Sequence, residues 1–171
     1  MAEVELVVAR LEHLDAALDS PERLSESLGG AEVAPGWEVF PEAVRGSRDR
    51  LAAAGNGEGN PWGTHLFLIS EPRTLVGWGG FKGPPADGTV EVGYSVSPEV
   101  EGRGIATAAV AAMVAKAEAA GVASVIAHTL PERNASGTVL ARNGFELEDE
   151  NATEADNHVW RWRLPIGGES A

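Results

Sequence analysis

The first third of the chain changes from a short apolar run to repeated helical spacing. Residues 4–11 form a short β-branched run, which predicts a strand. Residues 11–20, 20–30 and 41–55 predict three helices. Ser20 followed by Pro21 is typical of a helix cap and a first helical position.

The middle third predicts three strands and one long helix. Residues 64–71 and 74–83 are strands joined by a turn, and residues 89–96 are a third strand. The helix after Gly104 ends at Gly121, a residue type common just past a helix end. Its apolar residues fall on one face: Ile105, Ala109, Val110, Met113, Val114 and Ala117.

The last third predicts a strand over 122–130, a short helix over 134–144 and a closing hairpin of 145–150 with 157–165. The acids of the hairpin region are expected to form a solvated rim: Glu146, Glu148, Asp149, Glu150, Glu154 and Asp156. We expect one α/β (α+β) domain over 1–165 and a flexible tail over 166–171.

Composition narrows the class of protein. The chain has 171 residues, a formal net charge of −13 and no cysteine. The negative charge argues against nucleic-acid binding. It is expected to keep the protein soluble or, alternatively, to favour the binding of a cationic substrate. Without cysteine, disulfides and cysteine nucleophiles are excluded, which fits a cytoplasmic protein. The start shows no secretory signal, and no apolar run is long enough for a membrane span.

The glycine turn before the long helix is the main candidate binding motif. It lacks the lysine of a P-loop, and Thr107 stands where a dinucleotide fingerprint needs its third glycine. Gly102, Gly104 and Ala106 keep side chains away from the turn. Because the first amides of a helix bind anions without any lysine, the turn predicts a phosphate site.

Three motifs together resemble the GNAT acetyltransferases. Residues 101–106 (EGRGIA) resemble the Q/R-x-x-G-x-G/A signature between a strand and a helix. The strand motif VEVGY and the later segment NASGTVLARNGF resemble the branch of ribosomal-protein N-terminal acetyltransferases. The similarity covers about residues 62–165. It implies a GNAT-like fold with a mainly antiparallel sheet of about seven strands flanked by helices.

The resemblance also implies a co-substrate, acetyl-CoA. Its pyrophosphate would lie on the amides of 102–107, and its pantetheine arm along the strand end at 94–96. The residues expected to contact it are Tyr94, Ser95, Val96, Glu101, Gly102, Arg103, Gly104, Ile105, Ala106, Thr107, Asn134 and Ser136.

Two positions depart from the family pattern. Glu101 replaces the usual glutamine or arginine and would repel a pyrophosphate, an effect that Arg103 can offset. Counting back from Phe145, the family's serine falls on Ser136, but its asparagine falls on Arg133. Asn134 is displaced by one residue.

Acetyl transfer to an amine requires a base and a proton for the leaving thiolate. Glu91 is the expected base, and apolar neighbours on its strand are expected to exclude water and so raise its pKa. The alternative is an ordinary surface glutamate. By the resemblance, Ser136 protonates or hydrogen-bonds the sulfur, and helix capping is its alternative role. Tyr94, the chain's one tyrosine, is expected to pack beside the co-substrate, with proton donation as the alternative. A backbone amide near Val96 is the expected oxyanion donor.

The remaining candidates are aromatic and histidine side chains. Trp37, Trp62 and Trp78 can line an acceptor pocket or belong to the core. The four histidines lack ligand spacing, so no metal site is expected. His128 is expected to be a packing or surface residue, with a place near the co-substrate as the alternative.

We therefore expect an N-acetyltransferase that transfers acetyl from acetyl-CoA to a primary amine, small molecule or peptide, by direct attack in a ternary complex. The alternative is a catalytically silent acyl-CoA-binding module. The edge hairpin could also support a homodimer.

Overall fold

Over the residues that the structure describes, the protein folds as a mixed sheet flanked by five helices. The computed structural model describes residues 3–55 and 57–166. In chain order the elements are β1 (Glu5–Val8), α1 (Leu11–Asp19), α2 (Pro21–Ser27), β2 (Glu32–Val33), α3 (Pro41–Ala53), β3 (Thr64–Ile69), β4 (Thr74–Phe81), β5 (Thr89–Val96), α4 (Ile105–Ala119), β6 (Ser124–Thr129), α5 (Ala135–Arg142), β7 (Glu146–Glu154) and β8 (Asn157–Pro165). Each predicted element is present. The two-residue strand β2 is additional, because so short a segment has no readable period.

The sheet has eight strands and is mostly antiparallel, as expected. Its order is β1-β3-β4-β5-β6-β8-β7, and β2 pairs with β4 outside this path. The pairs β5–β6 and β2–β4 are parallel. The strands before α4 form a meander, and the chain returns to the sheet after α4 through β6.

Strands β5 and β6 pair over only part of their length. Their ladder runs from Thr89 with Ser124 to Glu91 with Ile126. Beyond Glu91, β5 stays paired with β4 as far as Val96, and β6 stays paired with β8. The two strands therefore leave a wedge between Val92–Val96 and the end of β6.

Each face of the sheet has its own core. Helices α4 and α5 cover one face, where Phe67, Val76 and Val92 pack against the apolar face of α4. That helix face is the predicted one, with Val114 partly buried and the others buried. The opposite core joins α1, α2 and α3 to side chains such as Leu66 and Trp78.

Strand β4 approaches β5 through glycines. A Cβ on Gly79 would collide with the carbonyl oxygen of Gly93 and with the Cα of Tyr94. Only a residue without a side chain lets the two strands pair here. Part of the sheet beside the wedge is consequently bare backbone.

The closing hairpin has one buried and one polar face. Trp162 is buried, while Arg161 and Arg163 both bind Glu148. Glu148 is exposed, as expected of a solvated rim. The expectation is wrong for Glu154, which is partly buried and contacts Lys82 and His128.

The predicted tail begins at a residue that the sheet still holds. Ile166 donates its amide to the carbonyl of Ala123 at 2.9 Å. Residues 167–171 lie outside the described residues. Within 3–55 and 57–166, no helix is long and apolar enough to cross a membrane.

Candidate active site

The glycine turn between β5 and α4 has left-handed backbone at both of its glycines. Gly102 has φ 84° and Gly104 has φ 77°. Gly104 is the N-cap of α4, where no side chain caps the helix. Residues 101–104 are exposed, and nothing lies within 4 Å of where a Cβ would stand on either glycine. The turn is thus open to a ligand.

The backbone amides of residues 102–107 are available as donors. Within the described part of the chain, none of them donates a hydrogen bond to a protein acceptor. Free amides at a helix start, together with the helix dipole, favour an anion. Glu101 and Arg103 lie exposed on this turn.

The wedge between β5 and β6 is bordered by Tyr94 and by the start of α5. The hydroxyl of Tyr94 donates to the backbone carbonyl of Ser136 at 3.1 Å. Burial raises the pKa of Tyr94 to about 12, and the bond to Ser136 only partly opposes this. The phenol therefore stays protonated at neutral pH with its proton directed at a backbone oxygen, a geometry that supports packing over proton donation.

Asn134 caps α5. Its side-chain oxygen accepts from the amide of Gly137 at 3.0 Å. The capping role considered for Ser136 therefore belongs to Asn134. Among the described residues, no hydrogen bond involves the Ser136 hydroxyl, although its backbone carbonyl accepts from Tyr94.

A cluster of four charged or titratable side chains lies where β5 and β6 separate. We call it the base cluster: Lys82, Glu91, His128 and Glu154. The Oε2 atom of Glu91 lies 2.8 Å from Nδ1 of His128 and 3.1 Å from Nζ of Lys82. The Oε2 atom of Glu154 lies 3.2 Å from the same Lys82 atom and 3.3 Å from the same His128 atom. Side chains following β4 and on β5, β6 and β7 thus converge on one point.

The expected rise in the pKa of Glu91 is wrong. Burial alone would raise this pKa, as the sequence suggested. Hydrogen bonds within the cluster, those from His128 and Lys82 among them, outweigh burial and lower it. Glu91 is therefore ionised at neutral pH, with its side chain 19% exposed.

Lys82 supplies the fixed positive charge of the base cluster. Burial would lower the pKa of Lys82, but its hydrogen bonds with Glu91 and Glu154 raise it. Glu91, His128 and Glu154 also have ligand-type atoms within 4.8 Å of one another, a grouping that sequence spacing did not reveal. The Lys82 ammonium contacts both carboxylates and offsets part of their negative charge.

His128 has a distinct place in the cluster. Its side chain is 8% exposed, and its Nδ1 atom faces both carboxylates. Its Nε2 atom is buried without a hydrogen-bond partner among the described residues. His128 is therefore mostly buried, as expected of a packing histidine, and it also contacts two carboxylates. Lys82 and Glu154 were not expected as site residues at all.

A cavity of about 840 Å³ lies between α3 and the strands β3, β4 and β5. Lys82, Gly93, Tyr94 and Ser95 line it on the sheet side, so it adjoins both the base cluster and the wedge. Residues of α3 line the opposite wall.

Two of the three tryptophans considered for an acceptor pocket line this cavity, namely Trp62 and Trp78. Trp37 is buried behind Trp78, with ring centroids 5.6 Å apart. His65 is also buried. It accepts from Lys116 at Nε2, and its Nδ1 contacts the carbonyl of Gly63.

Comparison with known proteins agrees with this geometry. The family model of the acetyltransferase (GNAT) domain matches residues 8–146. No curated protein matches the chain in sequence.

Solved structures share the fold at low identity. The ribosomal-protein-S5-alanine acetyltransferase from Vibrio fischeri has a TM-score of 0.64 at 16% identity, covering 97% of this chain and 94% of that one. A phosphinothricin acetyltransferase from Sinorhizobium meliloti, in complex with AcCoA, has a TM-score of 0.60 at 20% identity. The match covers 97% of this chain and 89% of that one. The ribosomal L7/L12 alpha-N-protein acetyltransferase RimL, in complex with coenzyme A, has a TM-score of 0.63 at 20% identity. The match covers 96% of this chain and 94% of that one.

The resemblance to the GNAT acetyltransferases is confirmed, and structures from the ribosomal-protein branch are among those that share the fold. The chain belongs to the GNAT family and is an acetyl-CoA-dependent N-acetyltransferase.

Proposed function

We propose that the protein transfers acetyl from acetyl-CoA to a primary amine by direct attack, with both substrates bound together. The observation that carries this proposal is the position of Glu91. Its carboxylate lies where the wedge begins, and the neighbouring Lys82 lines the acceptor cavity. A base in that position can reach an amine that enters from the cavity.

The lowered pKa of Glu91 restricts when it can act. An ionised carboxylate of low pKa is a weak base towards a free ammonium ion. We infer that the amine binds in its neutral form and that Glu91 removes the proton after attack, directly or through water. The nitrogen is then cationic and far more acidic. His128 and Glu154 would orient the Glu91 carboxylate, which makes them positioning residues.

Ser136 is proposed to serve the leaving group. Its hydroxyl makes no hydrogen bond within the described residues, and Tyr94 anchors its backbone beside the wedge. A hydroxyl in this position can donate to the coenzyme A sulfur as the thiolate departs. The oxyanion donor proposed with it is a backbone amide near Val96.

The co-substrate would be held mainly by backbone. The open turn and the free amides of 102–107 fit a pyrophosphate, with Glu101 and Arg103 at its margin. The unpaired edge of β5 at 94–96 fits an extended pantetheine arm. Asn134 would then support co-substrate binding by capping the start of α5 and not by contacting acetyl-CoA directly.

The test measures acetyl-CoA binding by calorimetry and turnover by thiol release, on the same preparations. We expect Glu91→Gln to lower kcat by about 10²- to 10⁴-fold while acetyl-CoA binding stays intact. Glu118→Gln, the same change on the exposed side of α4, is the matched control. Full turnover in Glu91→Gln would contradict the role of Glu91. Binding without turnover of any amine by the wild type would favour the silent module.

A further inference from the structure

The acceptor cavity is lined by two cationic side chains, although the chain carries a net charge of −13, and the carboxylates of Glu91 and Glu154 lie directly behind one of them, Lys82. Its ionisable lining residues, among the parts of the chain that the structure describes, are Arg50, Lys82 and Tyr94. No carboxylate lines it there. The overall charge therefore says nothing about the charge that an acceptor meets.

The two cations of the cavity differ in their partners. Lys82 is neutralised by Glu91 and Glu154. Arg50, on the last turn of α3, donates to the hydroxyl of Ser47 at 3.2 Å and has no acidic partner within the described residues. By contrast, Arg48 on the same helix is paired with Asp15 and Asp49. A guanidinium left without an acid in a chain rich in acids is available to a ligand anion.

The remaining walls of the cavity are largely apolar. They include Leu14, Phe40, Leu51, Trp62 and Trp78. Phe40 is 60% exposed, an unusual state for a large apolar side chain beside a cavity. These walls favour a ligand with an apolar body.

We propose that the acceptor is a free α-amino acid with an apolar side chain, bound with its carboxylate on Arg50 and its amine towards Glu91. A guanidinium binds a carboxylate by two parallel hydrogen bonds, which fixes the direction of the amine. This inference rests on the proposed function, because it identifies the substrate of the same site. It also replaces the cationic acceptor that the overall charge had suggested.

The first test compares L-phenylalanine with L-phenylalaninamide, which lacks the carboxylate. Because the amide also has a more acidic ammonium group, kcat/KM is measured over a range of pH and referred to the neutral amine. We expect the wild type to show a kcat/KM at least tenfold higher for the amino acid. Arg50→Gln should lower kcat/KM for phenylalanine by about 10- to 100-fold, mainly through KM, and lower the value for the amide far less. Arg50→Lys should restore part of the loss.

The matched control is Arg45→Gln, which removes the same charge from the same helix. Arg45 is exposed and does not line the cavity. Its replacement should leave the preference for phenylalanine as it is. Equal losses for both substrates in Arg50→Gln, or a wild type that prefers the amide, would overturn the proposal. The second result would indicate a peptide-like acceptor.

A binding measurement separates this inference from the proposed function. Calorimetric titration with N-acetyl-L-phenylalanine and with its amide, in the presence of coenzyme A, needs no turnover. Tighter binding of the carboxylate form, lost in Arg50→Gln, would support the anion site even if no amine were acetylated. Equal binding of the two forms would overturn the anion site, even if amines were acetylated.

Discussion

The base cluster lies where the wedge begins, the glycine turn follows the end of β5, and the two are built in opposite ways. The turn presents backbone amides from six consecutive residues, 102–107, with no side chain in the way. The base cluster brings together four side chains from residues 82, 91, 128 and 154. One region depends on local conformation, and the other depends on the pairing of strands distant in sequence.

This difference predicts different sensitivities to mutation. A site made of amides tolerates changes of side chain as long as the backbone keeps its left-handed glycines. A site made of interacting side chains changes its charge state when a partner is replaced, because the pKa of Glu91 and of Lys82 depends on their contacts in the cluster. The predictions below test this contrast and the contacts that join the two regions.

The largest expected effect concerns His65, the buried histidine that joins β3 beside the cavity to α4 behind the turn. Burial lowers the pKa of His65 to about 4, against 6.5 in the unfolded chain. Between these values the unfolded state binds more protons. The free energy of unfolding should therefore fall as the pH decreases from 6.5 to 4, by roughly 3 kcal/mol.

Denaturant unfolding at several pH values checks this contribution. Carboxylates titrate in part of the same window, so the comparison is with His65→Gln, whose stability should fall less over that range. An identical pH slope in the two proteins would rule out His65 as the source.

The next effect tests the turn. Gly104→Glu should weaken acetyl-CoA binding at least tenfold, since it strains a left-handed position and places a carboxylate beside the amides. Gly30→Glu is the matched control, because Gly30 also has positive φ with nothing within 4 Å of a Cβ. Equal affinities of the two variants, measured by calorimetry, would mean that the turn does not hold the co-substrate.

A smaller effect is expected at the contact across the wedge. Tyr94→Phe removes the hydroxyl that donates to the Ser136 carbonyl. The free energy of unfolding should fall by about 1 kcal/mol, the usual contribution of one such bond. Urea denaturation measures it, and a stability equal to wild type would show that this bond contributes nothing to folding.

The subtlest effect is a shift of pH dependence in the base cluster. Lys82 helps to hold the pKa of Glu91 low, so Lys82→Met should raise that pKa. The acid limb of kcat/KM should then move to higher pH, whereas Lys82→Arg should keep it near its original position. If the acid limb of the kcat/KM profile does not move in Lys82→Met, then Lys82 does not influence the ionisation of Glu91.

Local patterns in the sequence were enough to predict most of the helices and strands and the glycine turn. The cap at Ser20, the buried face of α4 and the stop at Gly121 depend on neighbours within a few residues. The glycine turn is equally local, because its amides are left free by the geometry of a helix start. These features follow from backbone rules that a sequence displays directly.

The base cluster did not follow from such rules. The sequence indicated Glu91 as the base, but the predicted direction of its pKa shift was wrong. The pattern of apolar residues indicated burial of Glu91, whereas it gave no sign of the three side chains that contact this carboxylate. Glu154 was assigned to a solvated rim, and Lys82 drew no attention. Their roles depend on which strands are neighbours.

By itself, the sequence determined the family, the order of elements and the open glycine turn, since each is encoded in residues close together along the chain. Only the tertiary structure decided which side chains meet at the wedge and that Asn134 and not Ser136 caps α5. It also placed Arg50, which has no acidic partner within 3–55 and 57–166, on the wall of the cavity beside α3. The physical reason is that hydrogen bonds and charges act over a few ångströms in space, and strand order determines which residues come within that distance.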